Sequence, residues 1–496
     1  MLLLAAFLMQ GFQCASKEMT TAKMKYEQKD YTAAIDNLQK ELAKNPTNEE
    51  ALLLLIDIRT MQGDLKEAAK ILMDAESKST NPKYKDQFPK KKNKLWVNSY
   101  NKGIQYYSSY FSTQEKANLD SAIYYFEIGS ILRPTLLDFY FLIGNSSELK
   151  GNTTKSINNY KIYIEKLSGD IEFANSNKFY LNMKITNVID AIGKKVRTRI
   201  DTLQNKEINR IDIVDGNEDI YLFSKYNSGT NQFELKGWRK GFPSDWLENE
   251  KLNFTEIRTD LFFILSEHFY KNKKLEQSLK YLEEYQKIDP TNNNSNSSII
   301  QIYRELGKED VALNKLEGLT KSSPGNPLYW SMWADMLANL EKHDEAIEKY
   351  EKALEINPEY DYALRNIAST YKNKAVKIQE SEQQKVEADN TYKIDVEKYF
   401  PILKLSSENF EKSLKTETFK NDYNVLIELA NNYIVLGNLK EPKLLRVLND
   451  LNRIEAFVPQ DEKSDFYFKW LKIASDMKDG NMINKVQNKI NQLEGK

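Results

Sequence analysis

His268 and His343 are the only histidines in this 496-residue chain, and Cys14 is its only cysteine. A Ser-His-Asp relay or a His-ligated metal would have to recruit one of those two rings. His268 stands in LFFILSEHFYKNKK, a helical stretch, with Glu267 beside it. Adjacent residues do not share a helix face, so the pair does not read as a ligand set. His343 falls at a turn between two expected helices, where it meets solvent. A lone cysteine rules out an intrachain disulfide and leaves no Cys-rich metal site. The sequence shows no Gly-rich phosphate loop, HExxH or nucleophile elbow. The expectation is therefore a non-enzymatic protein with no cofactor and no metal.

What remains is binding, and the charge balance narrows it. With 71 basic and 72 acidic residues, no global field favours nucleic acid. Only 18 Gly and 12 Pro occur, and hydrophobic residues make up 41 %, a composition suited to packed helices rather than to many strands.

The N-terminus, MLLLAAFLMQGFQCASKE, starts with an apolar run shorter than the ~20 residues that span a bilayer. The run fits the apolar region of an export signal, and Cys14 falls where it ends. This resembles a bacterial lipoprotein signal, although Gln13 occupies the place where that family normally has a small residue. The resemblance implies lipidation of Cys14 and a firm tether, since two or more acyl chains hold stably where one does not.

Elements that could position a binding surface recur every 34 residues. Ala346, Ala312 and Ser278 are 34 apart, as are Pro358, Pro324 and Pro290; Ala34 to Ala68 and Ala122 to Ser156 keep the same step. Such a period marks a helix-turn-helix unit that cannot bury its apolar face alone. Small residues suit a close helix crossing: Ala34, Ala68, Ala122, Ala312 and Ala346 on one helix, with Gly144, Ala334, Ala368 and Ala430 facing them. Larger Leu72, Phe126, Tyr160, Leu282, Leu316 and Tyr350 fill the space beside these. Gly63, Gly151, Gly307 and Gly437 suit the tight turns. Asn326 followed by Pro327 reads as an N-cap with proline at the first helical position.

From Pro327 to Pro358, Trp330, Ala334, Ala346, Tyr350, Ala353 and Pro358 stand at the offsets of the tetratricopeptide repeat, and the chain resembles that family. Weaker copies cover about 15–80, 103–168, 259–292, 293–326, 361–414 and 423–456, and a helix pair near 462–494 caps the series. The resemblance implies an all-α solenoid whose first helices line a concave face open to peptides or helices. Carried over offset by offset, that face includes Gln301, Arg304, Asp335, Asn339, Arg365, Asn366, Ser369 and Asn373. The family's Lys/Asn clamp for C-terminal carboxylates does not assemble, because Phe263 and Glu267 stand at the required points.

The register breaks three times. Ala68 to Ala122 is 54 and Ala346 to Ser406 is 60, so SSYFSTQEKANLD should lengthen a helix or form a loop before Ser121, and KIQESEQQKVEADNTYKIDVEKY should extend helices that protrude from the stack. Ser156 to Ser278 is 122, and residues 211–247 change character. Ile220 to Phe223 and Phe233 to Leu235 flank Asn227-Ser228-Gly229, a hairpin signal. Trp238, Arg239, Phe242 and Trp246 follow as an aromatic candidate contact, or as a cover for the end of the first array. The expected organisation is a signal segment (1–14), an N-terminal array (15–168), a linker helix with a β-containing insert (169–252), and a C-terminal array with capping helices (253–496).

The function that follows is a scaffold or adaptor in the bacterial cell envelope, lipid-anchored to a membrane, the outer membrane being favoured. It would bind a protein or peptide partner on its concave surfaces. Two alternatives stand beside it: a glycan- or nutrient-binding surface lipoprotein using the aromatic insert, and a soluble intracellular repeat adaptor in the cytoplasm.

Overall fold

Every small residue at the predicted crossing points is buried. Ala34, Ala68, Ala122, Ala312 and Ala346 are 0 % exposed, as are Ala334, Ala368 and Ala430. The computed structural model describes residues 16–192, 196–203, 206–215, 218–240, 257–437 and 442–495. Cys14 lies outside these. Among them the chain forms two compact units, Met1–Ser295 and Asn296–Lys496.

In the first unit, helices pair in sequence: α1 (Lys17–Glu27) with α2 (Tyr31–Lys44), and α3 (Glu49–Met61) with α4 (Leu65–Lys78). After a single turn, α5 (Pro82–Lys85), α6 (Gln87–Thr113) pairs with α7 (Lys116–Leu132), and α8 (Leu137–Lys150) with α9 (Thr153–Ser176). Helix α6 has 27 residues, so the first break in register is a lengthened helix. A short α10 (Ile185–Ile192) leads into the insert, and α11 (Asp260–Lys271) pairs with α12 (Leu275–Ile288) beyond it.

The turns use left-handed backbone where the repeat predicts it. Gly63, Gly151, Gly307 and Gly437 have φ of +80°, +91°, +66° and +78°. Lys29, Lys273, Glu341 and Lys478 hold φ between +56° and +59° at the corresponding turns of other pairs, a conformation non-glycine residues rarely adopt. The close crossing is visible at Gly144, where an added Cβ would lie 2.4 Å from the Tyr160 ring.

The insert is larger than a hairpin. Strands β1 (Val196–Leu203), β2 (Lys206–Asp215), β3 (Glu218–Asn227) and β4 (Gln232–Lys240) form one antiparallel meander in the order β1-β2-β3-β4. The expected hairpin is β3-β4: Asn227 accepts the Gly229 N–H at 2.9 Å through its side chain, and Tyr226 sits opposite Phe233. The free side of β4 is covered. Asn182 donates to the Leu235 carbonyl at 2.9 Å and Leu235 donates to Met183 at 2.9 Å, so an open edge is replaced by paired backbone.

That insert is not a separate domain. Tyr163 and Leu167 of α9, Leu222, Leu235 and Trp238 of the sheet, and Leu261, Phe262 and Tyr285 of α11–α12 share one apolar core. The expected boundary at 252/253 is therefore corrected: the helix pair after the sheet packs with the first array, and the units part at 295/296.

In the second unit, α13 (Asn293–Glu305), α15 (Pro327–Asn339) and α17 (Asp361–Ala388) are first helices, followed by α14 (Glu309–Ser322), α16 (His343–Ile356) and α18 (Phe400–Ser413). Asn326 caps α15 by accepting the Leu328 N–H at 3.1 Å, with Pro327 in the first turn. Helix α17 runs for 28 residues, and its extension is closed by Glu382. This carboxylate, 1 % exposed, accepts from Lys385 at 2.7 Å, Lys398 at 2.9 Å, the Tyr392 hydroxyl at 2.5 Å and the Asp395 N–H at 3.1 Å. Helices α19 (Tyr423–Val435), α20 (Pro442–Ile454), α21 (Lys463–Asp476) and α22 (Gly480–Leu493) end the chain, the last pair as expected. Among the described residues, no helix is long and apolar enough to cross a membrane.

Candidate functional site

All eight predicted groove residues lie on first helices of the second unit: Gln301 and Arg304 on α13, Asp335 and Asn339 on α15, Arg365, Asn366, Ser369 and Asn373 on α17. Asn292 and Asn326 start α13 and α15 by accepting the Ser295 and Leu328 N–H groups at 3.0 and 3.1 Å, whereas α17 starts after Tyr360 with no side-chain cap. The structure brings part of the set together. Gln301, Arg304 and Asp335 line an open cleft of about 260 Å3 with Ser297, Ile300, Leu328, Met332 and Met336.

Asp335 is the centre. Its Oδ1 accepts the Tyr350 hydroxyl from α16 and the Asn366 side-chain amide at 2.9 Å from α17. Arg365 in turn donates to Asn366 at 3.1 Å. Burial pushes the Asp335 carboxyl above the usual aspartate range, although Tyr350, Asn366, Arg304 and Arg365 all oppose that shift. The same burial, with Asp335 beside it, pushes the Tyr350 hydroxyl up, so Tyr350 stays a donor. Among the described residues no ion pair within 4 Å neutralises Arg304 or Arg365. Nearby lysines differ: Lys372 pairs with Glu428, Lys374 with Asp344 and Lys377 with Glu341.

Asn339 and Asn373 are exposed and stand apart from this network, and Ser369 bonds its own helix at the Arg365 carbonyl, 3.2 Å. Sequence reasoning missed the apolar floor. Ile300, Met332 and Met336 fall at positions that read as core. Tyr350 read only as filler, and no sequence signal separates a tyrosine that fills from one that also orients a carboxylate.

The aromatic insert requires a correction. Trp238 is 0 % exposed, its indole N–H donates to the Asp170 carbonyl at 2.7 Å, and its ring meets Phe179 edge-on at 5.3 Å. It is core rather than contact. Leu235 and Trp238, three apart on β4, would face opposite sides by simple alternation. The bulge opposite Phe223/Ser224 puts Trp238 beside Leu222 of β3 and both with Leu235 in the core shared with α9. Arg239 pairs opposite Tyr221 in the ladder. Its side chain, and the whole of Phe242 and Trp246, lie outside the described residues.

Neither histidine joins a reactive group. His343 is the first residue of α16, half-buried rather than solvated, and burial lowers its pKa. His268 and Glu267 both border a cleft of about 220 Å3, but Glu267 pairs with Lys271 at 2.6 Å. Among the described residues no three His, Cys, Asp or Glu side chains are placed to hold a metal.

Two stretches match family models described as tetratricopeptide repeat, residues 25–86 and residues 327–360. The chain carries tetratricopeptide repeats. The second match contains Asp335 and Tyr350, so the centre of the groove sits in the best-defined repeat. No curated protein matches the chain. Among solved structures it is similar to PilW, described as a widely conserved type IV pilus biogenesis factor, at 16 % identity and TM-score 0.34, covering 47 % of this chain and 92 % of that one. Pseudomonas aeruginosa pilF gives 15 % and 0.33, over 47 % and 91 %. YrrB, described as a TPR protein with an unusual peptide-binding site, gives 11 % and 0.27, over 49 % and 96 %. At such scores nothing about partner or activity follows from these neighbours.

Proposed function

We propose that this tetratricopeptide-repeat protein is a non-enzymatic scaffold that holds a segment of a partner protein in the groove running from Gln301 to Asn373. The observation that carries this reading is the polar hub at Asp335. Three successive first helices contribute to it, it opens onto a cleft with an apolar floor, and two arginines beside it lack ion pairs. Polar side chains fixed by second-layer hydrogen bonds over an apolar floor favour directional binding of a peptide.

We place the scaffold in the bacterial cell envelope, attached through a lipidated Cys14, the outer membrane being favoured. Support for this part comes from the apolar run that ends at Cys14. Tethering raises local concentration, so modest contacts suffice. The glycan-platform alternative loses its central residue, since Trp238 is buried.

The test is cross-linking in intact cells followed by purification and identification of partners, with the wild-type chain and an Arg304→Glu/Arg365→Glu variant. Envelope proteins recovered with the first and lost with the second support the scaffold. Equal recovery with both removes the groove from the reading. The mass of the N-terminal peptide tests the anchor, and an unmodified peptide beginning at Met1 would end that part.

A further inference from the structure

The Asp335 carboxylate is used on one side only. Both of its hydrogen bonds, from Tyr350 and from Asn366, fall on Oδ1. Its Oδ2 has no hydrogen bond among the described residues and does not belong to the sealed, unpartnered atoms of the interior, so it is open to the cleft that Asp335 lines. A half-buried acceptor with a vacant oxygen is matched by a donor on whatever fills the cleft.

The rest of the lining narrows the chemistry. Ile300, Leu328, Met332 and Met336 make an apolar floor, and the two thioethers let it adapt to side chains of different outline. Arg304 on the rim is exposed and without an ion pair, and Arg365 continues the positive edge along α17. The charges around the cleft balance, but the acidic ones are engaged: Glu305 accepts the Gln301 amide at 3.0 Å and Asp335 accepts from Tyr350 and Asn366, whereas Arg304 and Arg365 have no ion pair among the described residues. Charge complementarity then favours an acidic partner over a basic one.

Building on the groove reading, we propose that the partner segment is acidic and anchored by one apolar side chain. The apolar side chain enters between Ile300, Met332 and Met336. A backbone N–H of the segment donates to Asp335 Oδ2. A carboxylate next to the anchor pairs with Arg304, and a further one reaches Arg365. Asp335 is a specificity residue in this arrangement: it requires a donor at one point of a segment that is otherwise negative.

The probe is a positional-scanning library of fluorescein-labelled decapeptides, read by anisotropy on the full chain at low and at high salt. Selection of a bulky apolar residue flanked by Glu or Asp is expected, with binding weakened by salt. Arg304→Gln, at an exposed position that does not threaten folding, should weaken the selected peptide roughly tenfold, the scale of a lost charge-assisted hydrogen bond. Asp335→Asn should weaken it by a similar factor. With its Oδ1 still held by Tyr350 and Asn366, the new amide turns N–H groups toward the peptide donor. Circular dichroism confirms that each variant is folded.

Selection of basic or charge-indifferent peptides that are still lost in an Arg365→Glu/Asn366→Ala variant overturns this chemistry and leaves the groove standing. Peptide binding that no groove substitution alters, or no binding at all, overturns both.

Discussion

Two glycines in neighbouring helices of the first unit should respond oppositely to the same change. Gly169 lies in the interior of α9, exposed, with nothing within 4 Å of an added Cβ. Gly169→Ala gains the full helix propensity difference, about 0.8–1 kcal/mol. Gly144 in α8 gains the same amount, but its Cβ would stand 2.4 Å from Tyr160 Cε1 and 2.6 Å from Cδ1. The ring cannot swing aside cheaply: Tyr160 is 1 % exposed, and its hydroxyl donates to Glu148 at 2.7 Å. Overpacking of this kind costs about 1–3 kcal/mol, and a strained bond to a carboxylate adds to it. The net for Gly144→Ala is then a loss of roughly 1–2 kcal/mol. In urea, with a slope near 2 kcal/mol per molar, the midpoint should rise by about 0.5 M for Gly169→Ala and fall by about 0.5–1 M for Gly144→Ala. Far-ultraviolet circular dichroism reads both. Neighbouring repeats unfold together, so the two sites sample the same transition. A Gly144→Ala midpoint that rises as much as that of Gly169→Ala would refute the close crossing.

Other perturbations have equally definite signs. Trp238→Ala should cost about 3–5 kcal/mol by opening a cavity between sheet and α9, with a further ~1 kcal/mol for the lost bond to Asp170; an unchanged urea midpoint would return Trp238 to the surface. Glu382 titrates well below its ordinary range because Lys385, Tyr392 and Lys398 bond the carboxylate. Its stabilisation is thus complete above the unfolded carboxylate range, near pH 4.5, and is lost as pH falls toward the folded value. Glu382→Gln should lower the thermal midpoint at pH 7, the gap to wild type closing as pH drops below about 4; a gap that is constant with pH contradicts this. Asp335 has the opposite sign. Burial raises its carboxyl, so the folded state loses stability as pH rises through that raised value. Asp335→Asn should keep or raise the thermal midpoint at pH 7 and converge with wild type in acid, and a variant that is less stable only at neutral pH would reverse the assignment.

Much of the fold was legible because a few residue types must recur for helix pairs to stack. Alanine at the crossing, glycine at the turn and proline past the second helix are each dictated by one local constraint, and Ala346, Gly307 and Pro358 could be read singly. The lengthened α6 and α17 were legible as arithmetic, since extra residues without Gly or Pro can extend a helix, although residues 389–395 of the second insert, also without Gly or Pro, are not helical. Strands β1 and β2 were missed. VRTRIDTL alternates β-branched and charged residues, which masks the pattern, KEINRIDIVD alternates only at Ile211 and Ile213, and only β3-β4 has a turn with a distinct signature. Trp238 misled for a related reason: from sequence, an aromatic beside Arg239 and Phe242 reads as a contact, and only the strand register shows which face it takes. At the groove, spacing located the polar rim. It could not show that Tyr350 and Asn366 both choose Oδ1 of Asp335, because that depends on how far α16 and α17 approach α15.

The central claim is that a partner lies along the first helices of the second unit. It is tested most directly by placing a photo-crosslinking residue at Gln301 or Asn373 in the groove and, separately, at Lys352, an exposed position on the second helix α16. After irradiation of intact cells, occupancy of the groove predicts the same partner band from Gln301 and Asn373 and none from Lys352. Equal cross-linking from Lys352, or bands from Lys352 alone, would put the partner on the other face and contradict the assignment.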